Sequence, residues 1–282
     1  MKSLGWINVG GNSFIALIKC FLGYVGGSTA LFADGIHSFG DVMGSITMLL
    51  GLKIADRPKD HKHPYGYGKV EFIAAVAIYT FLFFVGVYIF FTAMRCILCG
   101  APIVPDMVTV IGAIISLAAN ELMYRQSYCC GEQLSSPAMI ANAHEKRADA
   151  LSSIAVLIGI IGARLGFHFL DPLAAIMVSC FIFKLAGTEL YKSFKGLMDT
   201  ALSAEDQKKI MAEISFFPEI IAIQDLRTRE LGQRVSIEVD ALIGSEKVLG
   251  ELKTLKTNLI QKILKVVNRP GDVTINFIPA NK

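Results

Sequence analysis

Long apolar runs separated by short polar links fill the first two thirds of the chain. A helix that crosses a membrane needs about 20 predominantly apolar residues. On that criterion hydropathy predicts six membrane-spanning helices. They cover residues 5–25, 28–54, 69–97, 104–125, 138–165 and 171–195. Gly26 and Gly27 leave only a very short turn between the first two, so these helices are expected to be neighbours.

The hydrophobic pattern changes at Asp199, where shorter segments begin. Ser203 followed by Asp206 is typical of a capped helix, predicted to run through Ile214. Three further segments alternate apolar and polar side chains or lie beside turn residues, which predicts three strands. They are residues 221–229, 234–242 and 273–277. A second helix, capped by Ser245, is predicted to precede the third strand.

These elements predict two domains. Residues 1–198 are predicted to form an all-α membrane domain of six helices. Residues 199–282, in the order α-β-β-α-β, form a small cytoplasmic α+β domain of ferredoxin-like type for dimerisation or regulation. Because so small a domain has a thin core, packing against a second copy is expected to stabilise it.

Composition supports an integral, multi-pass membrane protein. The 282 residues are 53% hydrophobic and only 18% charged, whereas soluble domains are about 25% charged. The mean hydropathy is +0.52. The net charge of +3 indicates no nucleic-acid partner, and the six scattered cysteines do not resemble a disulfide framework. Basic residues in the 55–68 link and at the end of the last helix predict cytoplasmic termini and a cytoplasmic tail.

His37 and Asp41 lie one helical turn apart within the second apolar run, and Asp34 falls on the same arc of about 60°. Ionisable groups inside a membrane are costly, so they usually face a polar cavity and serve a function there. Imidazole nitrogen and carboxylate oxygen both bind divalent metals. The alternative is a structural cluster whose polar groups are satisfied by neighbouring helices.

Glu145 and Asp149 repeat this spacing at the start of the fifth run. A solvated helix end is the alternative, because Lys146 and Arg147 lie beside them. The apolar run that follows, residues 150–165, is short for a hydrocarbon core of about 30 Å, so Asp149 is expected at membrane depth. The two pairs are the components of a divalent-cation site. His144 and Asp34 are candidates for supporting its ligands or handling protons.

A third candidate lies in the polar link. His61 and His63, beside Asp60, have the spacing of a loop metal site. Two histidines alone are a weak signal, and a solvated loop is the alternative.

These residues resemble the cation diffusion facilitator family of metal transporters. On the second predicted helix the matching motif is His37 with Asp41, and His37 lies within the matching residues 33–38. The other matching motifs are the loop residues 57–60 and 63–69 and the fifth-helix residues 141–143 and 147–153. The resemblance covers nearly the whole chain. Residues 120–125 and 136–137 resemble the magnetosome (MamB/MamM-type) branch.

The resemblance implies a transporter rather than an enzyme, with no fixed cofactor. It implies a homodimer, with a related subunit of the same family as a possible second partner. This dimer would move a divalent cation (iron, manganese or zinc) out of the cytosol in exchange for protons. The membrane is the bacterial cytoplasmic membrane or a magnetosome vesicle, which would receive iron. The implied transport ligands are His37, Asp41, Glu145 and Asp149. Lys69 with Asp199 is implied to form an interlock near the inner face of the membrane.

Two departures from the family pattern affect the expected chemistry. Glu145 stands where zinc transporters usually have histidine, and the resulting oxygen-rich set favours manganese or ferrous iron. The tail has no histidine or cysteine. It is therefore expected to dimerise without sensing metal, or to use carboxylates such as Asp225, Glu238 and Asp240. A membrane scaffold that binds metal and transports it weakly is the alternative function.

Overall fold

Six long helices precede a small α+β segment in the computed structural model, which describes residues 2–55, 57, 60–100, 104–133, 137–232, 234–244 and 249–280. The helices are α1 (Lys2–Val25), α2 (Thr29–Ala55), α3 (Val70–Leu98), α4 (Met107–Gln133), α5 (Pro137–Arg164) and α6 (Leu170–Leu197). The chain divides into two compact units, Met1–Ile46 with Ala77–Leu190 and Thr47–Val76 with Tyr191–Lys282. They are described separately.

The helices lie at the predicted positions, and α4 differs most from its prediction. It continues to Gln133, beyond the predicted end at residue 125. Hydropathy reports only the apolar part of a helix, whereas polar residues continue the helical backbone without interruption. Three described helices are long and apolar enough to cross a membrane: Val70–Leu98, Met107–Cys129 and Leu170–Leu197. Helices α2 and α5 carry the candidate ligands, and six crossings stay a prediction.

The start of α2 is fixed by polar contacts from α6. Gly27, at φ 70°, makes the predicted short turn after α1. The Ser28 hydroxyl accepts from the Leu31 N–H at 3.1 Å and donates to Asp171 at 2.5 Å. The other carboxylate oxygen of Asp171 accepts from the Thr29 N–H at 2.9 Å. These bonds satisfy N–H groups that have no partner within the helix and set the depth of α2.

The tail forms one three-stranded sheet among its described residues. Its elements are α7 (Ala204–Ser215), β1 (Ile220–Leu231), β2 (Arg234–Ile243), α8 (Leu249–Val267) and β3 (Gly271–Pro279), which confirms the predicted order. The central strand β2 pairs antiparallel with β1 and parallel with β3. The strands are longer than predicted because hydrogen bonding continues past the alternating side chains.

The tail core lies between the sheet and its two helices. Ile210 and Ile214 of α7, Ile237 and Val239 of β2, and Leu259 of α8 are among its buried side chains. The predicted cap of α7 is confirmed: the Ser203 hydroxyl accepts from the Asp206 N–H at 3.1 Å and donates to the Asp206 carboxylate at 2.8 Å. Ser245, the predicted cap of α8, lies outside the described residues.

Candidate metal centre

Three predicted ligands converge between α2 and α5. His37 and Asp41 of α2 and Asp149 of α5 each offer one ligand atom, and these atoms all lie within 4.8 Å of one another. The His37 Nε2 is 3.8 Å from the Asp149 Oδ1. In the part of the chain that the structure describes, no other three His, Cys, Asp or Glu side chains converge in this way. One imidazole and two carboxylates thus surround a point that a single cation can occupy.

The cluster opens onto a cavity of about 520 Å³ within the first unit. Side chains of α2, α5 and α6 line this cavity, and the Glu145 side chain of α5 is among them. Glu145 is exposed and lies outside the converging group of three. From α6 the cavity is lined by Met177, Phe181, Lys184, Leu185, Thr188 and Glu189. The ligands are therefore accessible to a small ion through a partly apolar space.

Two buried atoms of the cluster have no hydrogen-bond partner among the described residues. They are the Nδ1 of His37 and the Oδ2 of Asp41. Most buried polar atoms in proteins do have a partner, so such exceptions need an explanation. Both belong to residue types that bind divalent metals.

Lys146 also lies in the cluster, which the sequence did not predict. Its Nζ is 2.7 Å from the Asp149 Oδ2 and 3.9 Å from the Asp41 Oδ2, and its side chain is only 9% exposed. A lysine three residues before an aspartate on a helix lies on the same face, and that spacing was the available signal.

Asp34 lies apart from the cluster, although it shares the polar arc of α2. Its carboxylate forms a 2.8 Å ion pair with Lys19 of α1, and both side chains are 1% exposed. The Ser152 and Ser153 hydroxyls of α5 donate to it at 3.4 and 3.1 Å. Lys19 also donates to Ser38 at 3.0 Å. This pair therefore connects α1, α2 and α5 instead of facing the cavity lined by Asp149.

His144 points away from the converging ligands. It is exposed, and its ring meets that of Tyr128 edge to face at 6.4 Å. Tyr128 belongs to α4, so this contact joins α4 to α5.

The loop histidines are exposed. His63 stacks on Tyr67 at 4.2 Å, and its Nδ1 is 3.3 Å from Asp60. The Tyr67 hydroxyl donates to Asp60 at 2.7 Å. This bond and the His63 backbone N–H lower the pKa of the Asp60 carboxyl. His61 and His63 do not join a converging group of three ligands among the described residues.

The interlock residues Lys69 and Asp199 both lie in the second unit. The Lys69 Nζ is 3.0 Å from the Asp199 Oδ1 and donates to the Leu197 carbonyl at 3.2 Å. Asp199 has a φ of 56°, which aspartate tolerates better than most residues.

The tail carboxylates gather around an arginine. Arg227 lies 3.2 Å from Asp225, 3.9 Å from Glu238 and 3.3 Å from Asp240. Asn276 donates to Asp240 at 2.8 Å. Arg227 thus offsets part of their negative charge.

The comparisons with known proteins agree with a helical membrane domain. A family model described as the cation efflux transmembrane domain matches residues 6–198, which is more than half of the chain. The protein belongs to the cation diffusion facilitator family. The resemblance seen in the sequence motifs is thereby confirmed, and members of this family are transporters rather than enzymes.

Relatives of this facilitator match along most of their length. The magnetosome protein MamB of Magnetospira sp. (strain QH-2) is 35% identical over 275 residues, covering 97% of this chain and 92% of MamB. The manganese efflux system protein MneP of Bacillus subtilis (strain 168) is 36% identical over 268 residues, covering 93% and 90%. A MamB C-terminal domain structure from Desulfamplus magnetovallimortis BW-1 is 23% identical, covering 28% of this chain and 96% of that chain, with a TM-score of 0.27.

Proposed function

We propose that this protein is a secondary transporter that moves Mn(II) or Fe(II) out of the cytosol in exchange for protons. The observation that supports this most directly is the convergence of His37, Asp41 and Asp149 at the cavity. Membership of a family of cation efflux proteins supports the same reaction class. The cation is the substrate, so the three side chains hold it during transport.

The donor set supports the choice of ion. Two carboxylates and one imidazole converge, and Glu145 and Glu189 add two further carboxylates to the cavity wall. Manganese and ferrous iron accept such oxygen-rich sites, whereas soft thiolate ligands, which favour zinc, do not line this cavity among the described residues. The relative named as a manganese efflux protein agrees with this choice.

Proton exchange follows from the ligand chemistry. Metal binding requires a neutral imidazole and ionised carboxylates, so protons and the cation compete for the same atoms of His37, Asp41 and Asp149. When the site faces a more acidic compartment, protons displace the cation. When it faces the cytosol, the cation displaces the protons. Rocking of helices around the fixed ligands would alternate the two exposures.

The surrounding organisation is part of the same proposal. Residues 1–198 act as the transport domain with six crossings, and residues 199–282 as a cytoplasmic dimerisation domain of ferredoxin-like type. The protein functions as a homodimer or with a related subunit. The Lys69–Asp199 ion pair holds the segment before α3 against the segment that follows α6. Relatives named as magnetosome proteins support a magnetosome vesicle as one destination, and MneP supports export across the cytoplasmic membrane.

Cation uptake into proteoliposomes with an imposed pH gradient tests the proposal. We expect Mn(II) and Fe(II) uptake to exceed Zn(II) uptake, to require the gradient and to vanish in Asp149→Ala. Glu121→Gln is the matched control, because Glu121 is an α4 carboxylate paired with Arg125 at 2.8 Å on the exposed side. Absence of flux for every ion from a folded wild-type dimer would refute the transporter proposal and support the scaffold alternative.

A further inference from the structure

Lys146 is a charged group in close contact with the candidate ligands, although the transport reaction does not itself require a lysine there. Its Nζ pairs with the Asp149 Oδ2 at 2.7 Å and lies 3.9 Å from the Asp41 Oδ2. These two carboxylates are also ligands in the converging group. The ammonium therefore contacts the oxygens that a divalent cation would use.

The charges of this cluster make the ammonium and the cation exclusive. Asp41 and Asp149 carry two negative charges, and Lys146 offsets one of them. A divalent cation would offset both, and an ammonium remaining within a few ångströms of it would be repelled in a partly buried site where screening is weak. The oxygens of Asp41 and Asp149 therefore cannot bind the ammonium and a divalent cation at the same time without weakening one of the two interactions.

We propose that Lys146 is a tethered competing cation that sets the affinity and ion selectivity of the transport site, an inference that rests on the proposed function. A substrate cation must displace the ammonium from Asp149 before the carboxylate can ligate it. Monovalent cations offset too little charge to displace the ammonium, so the device selects for divalent substrate. It also weakens divalent binding, which favours release.

The cavity lined by its partner Asp149 provides room for the displaced side chain of Lys146. Lysine has a flexible four-carbon stem and a point charge that hydrogen-bonds in several directions. Glu145 and Glu189 line the same cavity of about 520 Å³ and offer carboxylates toward which the ammonium can turn. The Asp41 Oδ2 makes no hydrogen bond among the described residues and lies 3.9 Å from the ammonium, so Lys146 engages Asp149, at 2.7 Å, more closely than Asp41.

The test is Mn(II) titration of the purified full-length protein, with free Mn(II) measured by electron paramagnetic resonance. Lys146→Met keeps the length of the side chain and removes the charge. We expect its dissociation constant to fall by about tenfold or more, and Lys146→Arg to bind no more tightly than wild type. Lys184→Met is the matched control. It removes a lysine from the α6 wall of the same cavity, and among the described ion pairs Asp41 and Asp149 pair with Lys146, not Lys184.

Three results decide the inference. An unchanged or weaker affinity in Lys146→Met, with normal wild-type binding, overturns it and leaves the transport proposal standing. An equal gain in Lys184→Met also overturns it, because the effect would then be general electrostatics. Absence of Mn(II) binding in wild type and every variant instead refutes the transport site itself.

A second measurement on the wild-type protein covers the case in which Lys146→Met fails to fold. Labelling by a small amine-reactive reagent, read at Lys146 by mass spectrometry, should increase when Mn(II) is added. Labelling that is unchanged or reduced by Mn(II), at concentrations that saturate binding, contradicts displacement.

Discussion

The Lys19–Asp34 and Lys146–Asp149 ion pairs of the first unit differ in what surrounds them. Lys19 and Asp34 are 2.8 Å apart and 1% exposed, with serine hydroxyls around both groups. Lys146 and Asp149 are 2.7 Å apart and about one tenth exposed, beside a cavity. Both pairs are largely buried, but among the described residues only the second lies beside buried polar atoms that make no hydrogen bond.

The difference shows that burial of charge does not by itself identify a transport site. A pair whose hydrogen bonds are satisfied by Ser38, Ser152 and Ser153 holds helices together. A pair beside the His37 Nδ1 and the Asp41 Oδ2, which make no hydrogen bond among the described residues, retains capacity for another cation. Unsatisfied ligand atoms next to a cavity are thus the better indicator of function.

Replacing the aspartate of the cavity pair should have the largest effect. Asp149→Asn removes one of the three converging ligands and the closest partner of Lys146. We expect Mn(II) flux in proteoliposomes to fall to background while the protein still folds as an oligomer. Size-exclusion chromatography supplies the folding control. Substantial flux in this folded variant would remove the distinction between the two pairs.

Replacing the aspartate of the enclosed pair should instead affect stability. Asp34→Asn leaves Lys19 buried without its counter-charge, and removing one partner of a buried pair costs about 3–5 kcal/mol. Thermal unfolding in detergent measures this loss. Flux per folded molecule is expected to persist, because Asp34 lies outside the converging group.

The double variant Lys19→Met with Asp34→Leu is the matched control for that prediction. Removing both charges together is often close to neutral, since neither remains buried and unpaired. We expect most of the stability lost in Asp34→Asn to return. If the double variant folded well but transported nothing, the enclosed pair would belong to the transport machinery.

Glu145→Gln should have an intermediate effect on binding. Glu145 lines the cavity but lies outside the group of three, so its carboxylate acts on the cation at a distance or through the displaced Lys146. Groups that support metal ligands without binding the ion typically contribute about 10–100-fold in affinity. We expect a weaker dissociation constant by that factor, with flux retained at saturating Mn(II). Complete loss of flux would make Glu145 a direct ligand.

The smallest effect is expected at the exposed pair of the second unit. Lys69 and Asp199 are 37% and 41% exposed, and solvent-screened pairs typically contribute about 0.2–1 kcal/mol. Lys69→Ala should therefore change the unfolding temperature only slightly. A shift as large as that of Asp34→Asn would show that exposure is a poor guide to the strength of these pairs.

The sequence predicted His37 with Asp41, and Asp149 with Glu145, because the four-residue spacing within each pair is a property of a single helix. The positions of Asp34 and Lys146 depend on other helices. Asp34 shares the arc of His37, but it lies one turn earlier, where α1 brings Lys19 against it. Lys146 supported the alternative of a solvated helix end, because hydropathy cannot show that its side chain is buried against Asp41 and Asp149.

The tail illustrates the same limit on a simpler fold. Its alternating strands and the cap at Ser203 were predictable because they depend on local spacing. The parallel pairing of β3 with β2 depends on how α8 crosses between them, which no local pattern specifies. The gathering of three carboxylates around Arg227 follows from that sheet.

A crystal structure of the full chain with Mn(II), measured at the manganese absorption edge, tests the candidate site most directly. We predict an anomalous peak coordinated by His37, Asp41 and Asp149, with the Lys146 ammonium withdrawn from Asp149. No peak should appear near Lys19 and Asp34. A peak elsewhere with no manganese between α2 and α5, at saturating Mn(II), would contradict the proposed transport site.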